Sequence, residues 1–176
     1  MTTLPIRRLG DPVLKEPARE VERFDATLRA LYRDMLETMY AAPGVGLAAP
    51  QVGISLRFFV YDDRRGNGPG ALANPELVRL DGEHEDEEGC LSIPGLYFPT
   101  RRALHAAIRG QDLDGSPVSL RGDELLARIF QHEIDHLDGL LFIDRLGREE
   151  RRQAFAAMRE LELGGASTAR ARRERR

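Results

Sequence analysis

Apolar residues recur at helical spacing between Ala26 and Tyr40. Leu28, Leu31, Tyr32, Met35, Leu36 and Met39 share one side of a helix that Asp25 can cap and that Ala42-Pro43-Gly44 stops. A second stripe, Leu125, Leu126, Ile129 and Phe130, predicts a helix from about Glu124 to Leu137, with Asp123 as N-cap and Gly139 as terminator. A third amphipathic segment runs roughly from Arg148 to Leu161 and is expected to end at Gly164-Gly165. Elsewhere the period shortens. Arg57 to Tyr61, Leu72 to Leu80 and Leu104 to Ile108 read as strands. The run from Asp112 to Ser116 reads as the turn of a hairpin joining Leu104–Arg109 to Pro117–Leu120. Pro5, Pro12 and Pro17 make the start of the chain an extended arm crossing the surface, while Gly44–Gly53 and Asp62–Gly70 read as loops.

Helices separated by several strands without strict alternation predict an α+β fold. The expected architecture is a single domain with mixed or antiparallel β-sheets packed around a central helix, plus a C-terminal helix. A length of 176 residues agrees with one domain, and a composition of 41% hydrophobic and 31% charged residues excludes disorder across the whole chain. No apolar run approaches the roughly 18 residues that cross a bilayer. Nor does an apolar stretch follow Arg7-Arg8 as in a secretory signal, so the cytoplasm is the expected location and no membrane partner is expected. A net charge of −3 argues against a general affinity for DNA. The charge is nevertheless uneven: Ala169–Arg176 carries five Arg and one Glu. Residues 1–165 are therefore expected to form the catalytic domain and 166–176 a basic, disordered tail, able to make an electrostatic contact with ribosomal RNA.

The strongest chemical signal is Gln131-His132-Glu133-Ile134-Asp135-His136. Two histidines four apart on a helix stack on one face, so both imidazoles can bind one ion without distorting the backbone. Glu133 lies about 100° round the helix from His132, where a carboxylate can reach a water held by the ion and act as general base. A catalytic site needs a third protein ligand and an open position. The acids downstream, Glu160 among them, would make a metalloprotease. The lone cysteine, Cys90, sits between Gly89 and Pro94 on a stiff, bounded stretch, and thiolate is the stronger ligand for a borderline-soft ion. A fourth ligand, His84 or His105, would instead close the site into a structural zinc module. Asp135 reads as a solvated surface acid, with Gln131 and Asp135 as candidates to orient the histidines through hydrogen bonds. Glu83 to Glu88 reads as an exposed acidic run.

Three segments together resemble the signature motifs of bacterial peptide deformylases: GVGLAAPQ at Gly44–Gln51, EGCLS at Glu88–Ser92 and QHEIDHL at Gln131–Leu137. They occur in that family's order, and the flanking elements fit along roughly residues 3 to 160. The resemblance implies a metal-dependent hydrolase that removes the formyl group from the initiator methionine of new polypeptides and releases formate. It implies Cys90, His132 and His136 as ligands of one Fe2+, for which Zn2+, Ni2+ or Co2+ can substitute. Glu133 is implied as general acid/base, with Gln51 and the backbone N–H of Leu91 holding the oxyanion. Gly44, Val45, Gly46, Leu125 and Ile129 are implied to contact the substrate, an N-formylmethionyl nascent peptide. Residues Gly95 to Thr100 are expected to border its groove.

Overall fold

The computed structural model describes the backbone of residues 2–173 and the side chains through Leu161. Its strands are β1 (Gly46–Ala48), β2 (Phe58–Tyr61), β3 (Gly70–Asp81), β4 (His84–Cys90), β5 (Ile93–Arg102), β6 (His105–Gln111) and β7 (Pro117–Asp123). The helices are α1 (Ala26–Ala41), α2 (Glu124–Leu137) and α3 (Arg148–Arg173). One antiparallel sheet has the order β1-β2-β3-β6-β7, and β4 pairs with β5 in a separate ribbon. This is the α+β arrangement that the alternation of periods implies.

The amphipathic stripes become buried faces. Met35 and Met39 of α1 pack with Leu47 and Phe58 beside β1 and β2. On the neighbouring side, Phe130, Ile134 and Leu137 of α2 pack against Phe59, Leu72 and Ile108 of the sheet. Phe130 also meets Phe59 and Tyr61, with ring centroids 6.3 and 5.3 Å apart. Each such side chain contributes about 1.5–3 kcal/mol on burial, so α2 is held along its length. A third cluster, built from Cys90, Ile93, Leu141, Phe142 and Ala154, closes over the end of the ribbon.

Several local expectations change. Gly44–Gly53 is not a plain loop, because it holds β1 and a 3-10 turn at Ala49–Val52. With Leu14 buried as its anchor, the mostly exposed N-terminal arm crosses the surface as expected. Its backbone donates from Arg7 to Gln51 (2.7 Å), from Leu9 to Ser92 (3.0 Å) and from Ala18 to Leu137 (2.8 Å), fastening all three motifs. Asp123 occupies the N-cap position of α2 but makes no side-chain cap; its carboxylate lies 2.6 Å from His105 Nδ1 instead. Gly139 does end that helix, at φ 76°. The α3 backbone continues through Gly164-Gly165 to Arg173. Side chains of the basic run Arg170–Arg176, on which the disordered-tail expectation falls, lie outside the described residues.

Local sequence does not announce the strands β4 and β5, because the outward positions of β4 are charged and β5 carries Pro94, Gly95 and Pro99. Cross-strand pairing outweighs that composition: Glu85 stands opposite Arg101 in the register and accepts from its Nε at 3.1 Å. A register shift between Gly89 and Cys90 and a Leu91-Ser92 turn then carry the thiol toward α2.

Candidate metal centre

On α2, His132 and His136 stand one turn apart with ring centroids 4.9 Å apart. The turn after β4 delivers Cys90 to the same spot. Cys90 Sγ lies 3.2 Å from His136 Nε2, which lies 3.2 Å from His132 Nε2, and all three donor atoms fall within 4.8 Å of one another. A tetrahedral ion with ordinary metal–sulfur and metal–nitrogen bonds separates its donors by about 3.4–3.6 Å. The donor set and its spacing therefore fit one small divalent metal. Among the described residues no other cluster of three such donors exists. His84 lies away from it, with Nε2 3.3 Å from an Arg128 nitrogen, and Glu160 is not a member.

Glu88 orients the cluster. Its Oε1 lies 2.6 Å from His132 Nδ1, so that nitrogen carries the proton and Nε2 keeps a lone pair facing Cys90 and His136. The acidic run is exposed as expected at Glu85, Asp86 and Glu87, but Glu88 is only 4% exposed. It also accepts from Arg102 (2.6 and 3.0 Å) and from Arg128 (2.7 Å). Burial alone would raise its carboxyl, yet His132 and Arg102 hold it well below the usual carboxylate range. A period-2 signal could have found it: Glu88 and Cys90 are two apart on a strand and so face the same way.

Asp135 and Gln131 do not orient the histidines. Asp135 is buried, not solvated, and accepts from Arg102 (2.7 Å) and Arg145 (2.5 and 3.1 Å). Gln131 secures the backbone of Ala103 and Ala127. Arg102 thus bridges Glu88 and Asp135, and breaking a buried ionic network of this kind costs about 3–5 kcal/mol.

Glu133 is 3% exposed, and its Oε2 has no hydrogen-bond partner among the described residues. Burial pushes its carboxyl up to about 7, where a carboxyl exchanges its proton near neutrality. Gly46 makes its place: a Cβ there would overlap Oε1 and come within 2.9 Å of the carboxyl carbon. Gln51 accepts from the Ala48 N–H at 2.9 Å. That contact turns its amide nitrogen toward Ser92 Oγ (3.2 Å) and Cys90 Sγ (3.6 Å).

The cluster opens into a cavity of about 720 Å³. Gly44, Val45, Gly46, Leu125 and Ile129 all line it, and Leu91 closes one side. The expected groove border is present as far as Tyr97, whose ring crosses Gly89 so closely that a Cβ there would clash with it at 2.5 Å.

An α+β domain with one cavity that gathers three soft and borderline donors beside a buried carboxylate has the construction of a hydrolytic enzyme. The comparisons place it further. A family profile described as polypeptide deformylase matches residues 3–152. A peptide deformylase of Acidothermus cellulolyticus is 53% identical over 165 residues, covering 94% of this chain and 91% of that protein. The crystal structure of a peptide deformylase from Legionella pneumophila superposes with a TM-score of 0.87 at 42% identity, covering 94% of this chain and 98% of that one. That of Synechococcus elongatus, solved in complex with actinonin, gives 0.84 at 44% identity, over 89% and 88% of the two chains. This chain belongs to the polypeptide deformylase family, and it is an enzyme that removes the N-formyl group from new polypeptides.

Proposed function

We propose that the reaction is metal-dependent, that Cys90, His132 and His136 hold one Fe2+, and that Glu133 is the general acid/base for hydrolysis of the formyl amide of an N-formylmethionyl peptide. The convergence of three buried donor atoms within 4.8 Å beside Glu133 carries this reading. When bound, the ion acidifies water to a pKa near 7 and polarises the formyl oxygen.

The chain's residues do the rest. Glu133 takes a proton from the attacking water and delivers it to the methionine nitrogen as the C–N bond breaks. The Gln51 amide and the Leu91 N–H donate to the developing oxyanion, and each such donor contributes about 3 kcal/mol to lowering the barrier. Val45, Leu125 and Ile129, with the His132 ring, receive the methionine side chain. Crowding at the other wall favours a formyl hydrogen over an acetyl methyl: a Cβ at Gly44 would already sit 2.8 Å from Leu91 Cδ1. No helix among the described residues is long and apolar enough to cross a membrane.

A chelator will abolish formate release from a formyl-Met peptide, and Fe2+, Ni2+ or Co2+ will restore it. Cys90→Ser will lower bound metal at least tenfold. Full turnover in the chelated protein would refute the reading, as would a metal content in Cys90→Ser equal to wild type. The four-ligand zinc alternative is opposed by the positions of His84 and of His105, which sit beside Arg128 and Asp123, and the metalloprotease by the absence of Glu160 from the cluster. The basic tail is proposed to touch ribosomal RNA. Deleting 169–176 will weaken co-sedimentation with ribosomes at low salt, and equal binding would remove that contact.

A further inference from the structure

We propose that the corner Asp62–Arg65 braces the peptide groove and that Arg64 is a positioning residue, acting on substrate through the Gly44 carbonyl. The proposal rests on the reading of the cavity as the formyl-peptide site. Immediately after β2, the Asp62 N–H donates to the Val45 carbonyl at 2.9 Å, and the Arg64 guanidinium donates to the Gly44 carbonyl at 3.1 Å. One turn thus holds two consecutive carbonyls of the wall that faces Leu125 and Ile129.

The corner is itself built to hold that arginine. Asp62, 8% exposed, accepts from the Arg64 backbone N–H at 2.8 Å and from the Tyr40 hydroxyl at 2.6 Å. The Arg64 guanidinium carbon lies 4.8 Å over the Tyr40 ring. The hydrogen bond to Asp62 pushes the Tyr40 hydroxyl up to about 12, so the contact persists across the physiological range. Arg64 sits at φ 58°, a left-handed conformation that disfavours any residue with a side chain. The surrounding hydrogen bonds impose it and aim the side chain at Gly44. The next residue reaches the opposite wall: Arg65 pairs with Glu124 at 3.1 Å, at the start of the helix carrying Leu125 and Ile129. That second pair is exposed and contributes little, which leaves Arg64 as the working contact.

A wall made of Gly-Val-Gly has wide backbone freedom. Holding its carbonyls removes that freedom during folding, before substrate binds, and preorganisation of this kind strengthens binding. Arg64 touches neither Glu133 nor the three donor atoms, so its loss should act on KM and spare kcat.

Arg64→Gly separates the brace from stability, because glycine relaxes the left-handed backbone while removing the guanidinium. For the metal-loaded enzyme with a formyl-Met peptide, KM should rise about fivefold, the net worth of one hydrogen bond. We expect kcat to stay within about twofold and the thermal midpoint to hold or rise. Arg64→Lys, which keeps a point donor, should fall between the two. Amide hydrogen exchange at Val45 and Gly46 should quicken in Arg64→Gly whether or not the protein turns over. Unchanged exchange, or unchanged KM in an active protein, overturns the brace, and so does an equal fall in kcat. Absence of formate release from the wild type would overturn the formyl-peptide reading instead, leaving the exchange experiment to decide the brace.

Discussion

Glu133→Gln will lower kcat for formate release by about 10²- to 10⁴-fold, the usual contribution of a positioned general acid/base. The amide matches the carboxylate in size but neither accepts the water proton nor returns it to the departing amine. Folding should survive, because Glu133 lies 3% exposed between two histidines on a helix packed along its length, and its Oε2 has no partner to lose among the described residues. Replacing a buried carboxyl with a neutral amide also removes a desolvation cost. Metal content and thermal midpoint should therefore match or exceed wild type while turnover collapses. Activity within tenfold of wild type would show that another group moves the proton.

Gly46→Ala should cost about 10²-fold in kcat/KM, although it adds one methyl group. The new Cβ would occupy the space of Glu133 Oε1 and lie 2.9 Å from its carboxyl carbon, so the proposed acid/base must move by about an ångström. Displacements of that size typically cost two orders of magnitude. Gly46 is paired with Tyr61 in β1, so its backbone cannot retreat without breaking the sheet edge. A double-mutant cycle isolates the cause. In a Glu133→Ala background the carboxylate is gone, and adding Gly46→Ala should then cost little more. Fully additive losses would place the damage elsewhere, in the strand itself or in peptide binding.

How much of this was legible in the sequence depends on whether the information was local. The bounds of α2 followed from its apolar stripe and its glycine stop, and the histidine pair followed from helical spacing alone. Gly46 was seen only as part of a motif; its steric reason appeared when β1 passed over Glu133. Glu88 was misread because one strand residue among four acids looks solvated until the ribbon turns that position inward against Arg102 and Arg128. Asp135 was misread the same way, since its arginine partners lie 33 and 10 positions away in the chain. Asp123 stood where a cap belongs, yet its carboxylate faces His105 across the β6–β7 pair.

From the amino-acid order alone came the candidates for the reacting groups: a helix fixes the geometry of residues four apart, and a lone thiol and a signature carry their own chemistry. Where those groups meet was settled by tertiary structure. Bringing Cys90 within 3.2 Å of a histidine 46 residues onward, and setting Arg102 of β5 and Arg128 of α2 around Glu88, requires non-local pairing. That pairing is stabilised by burial and satisfied charge in the assembled core, and no window of local sequence contains it.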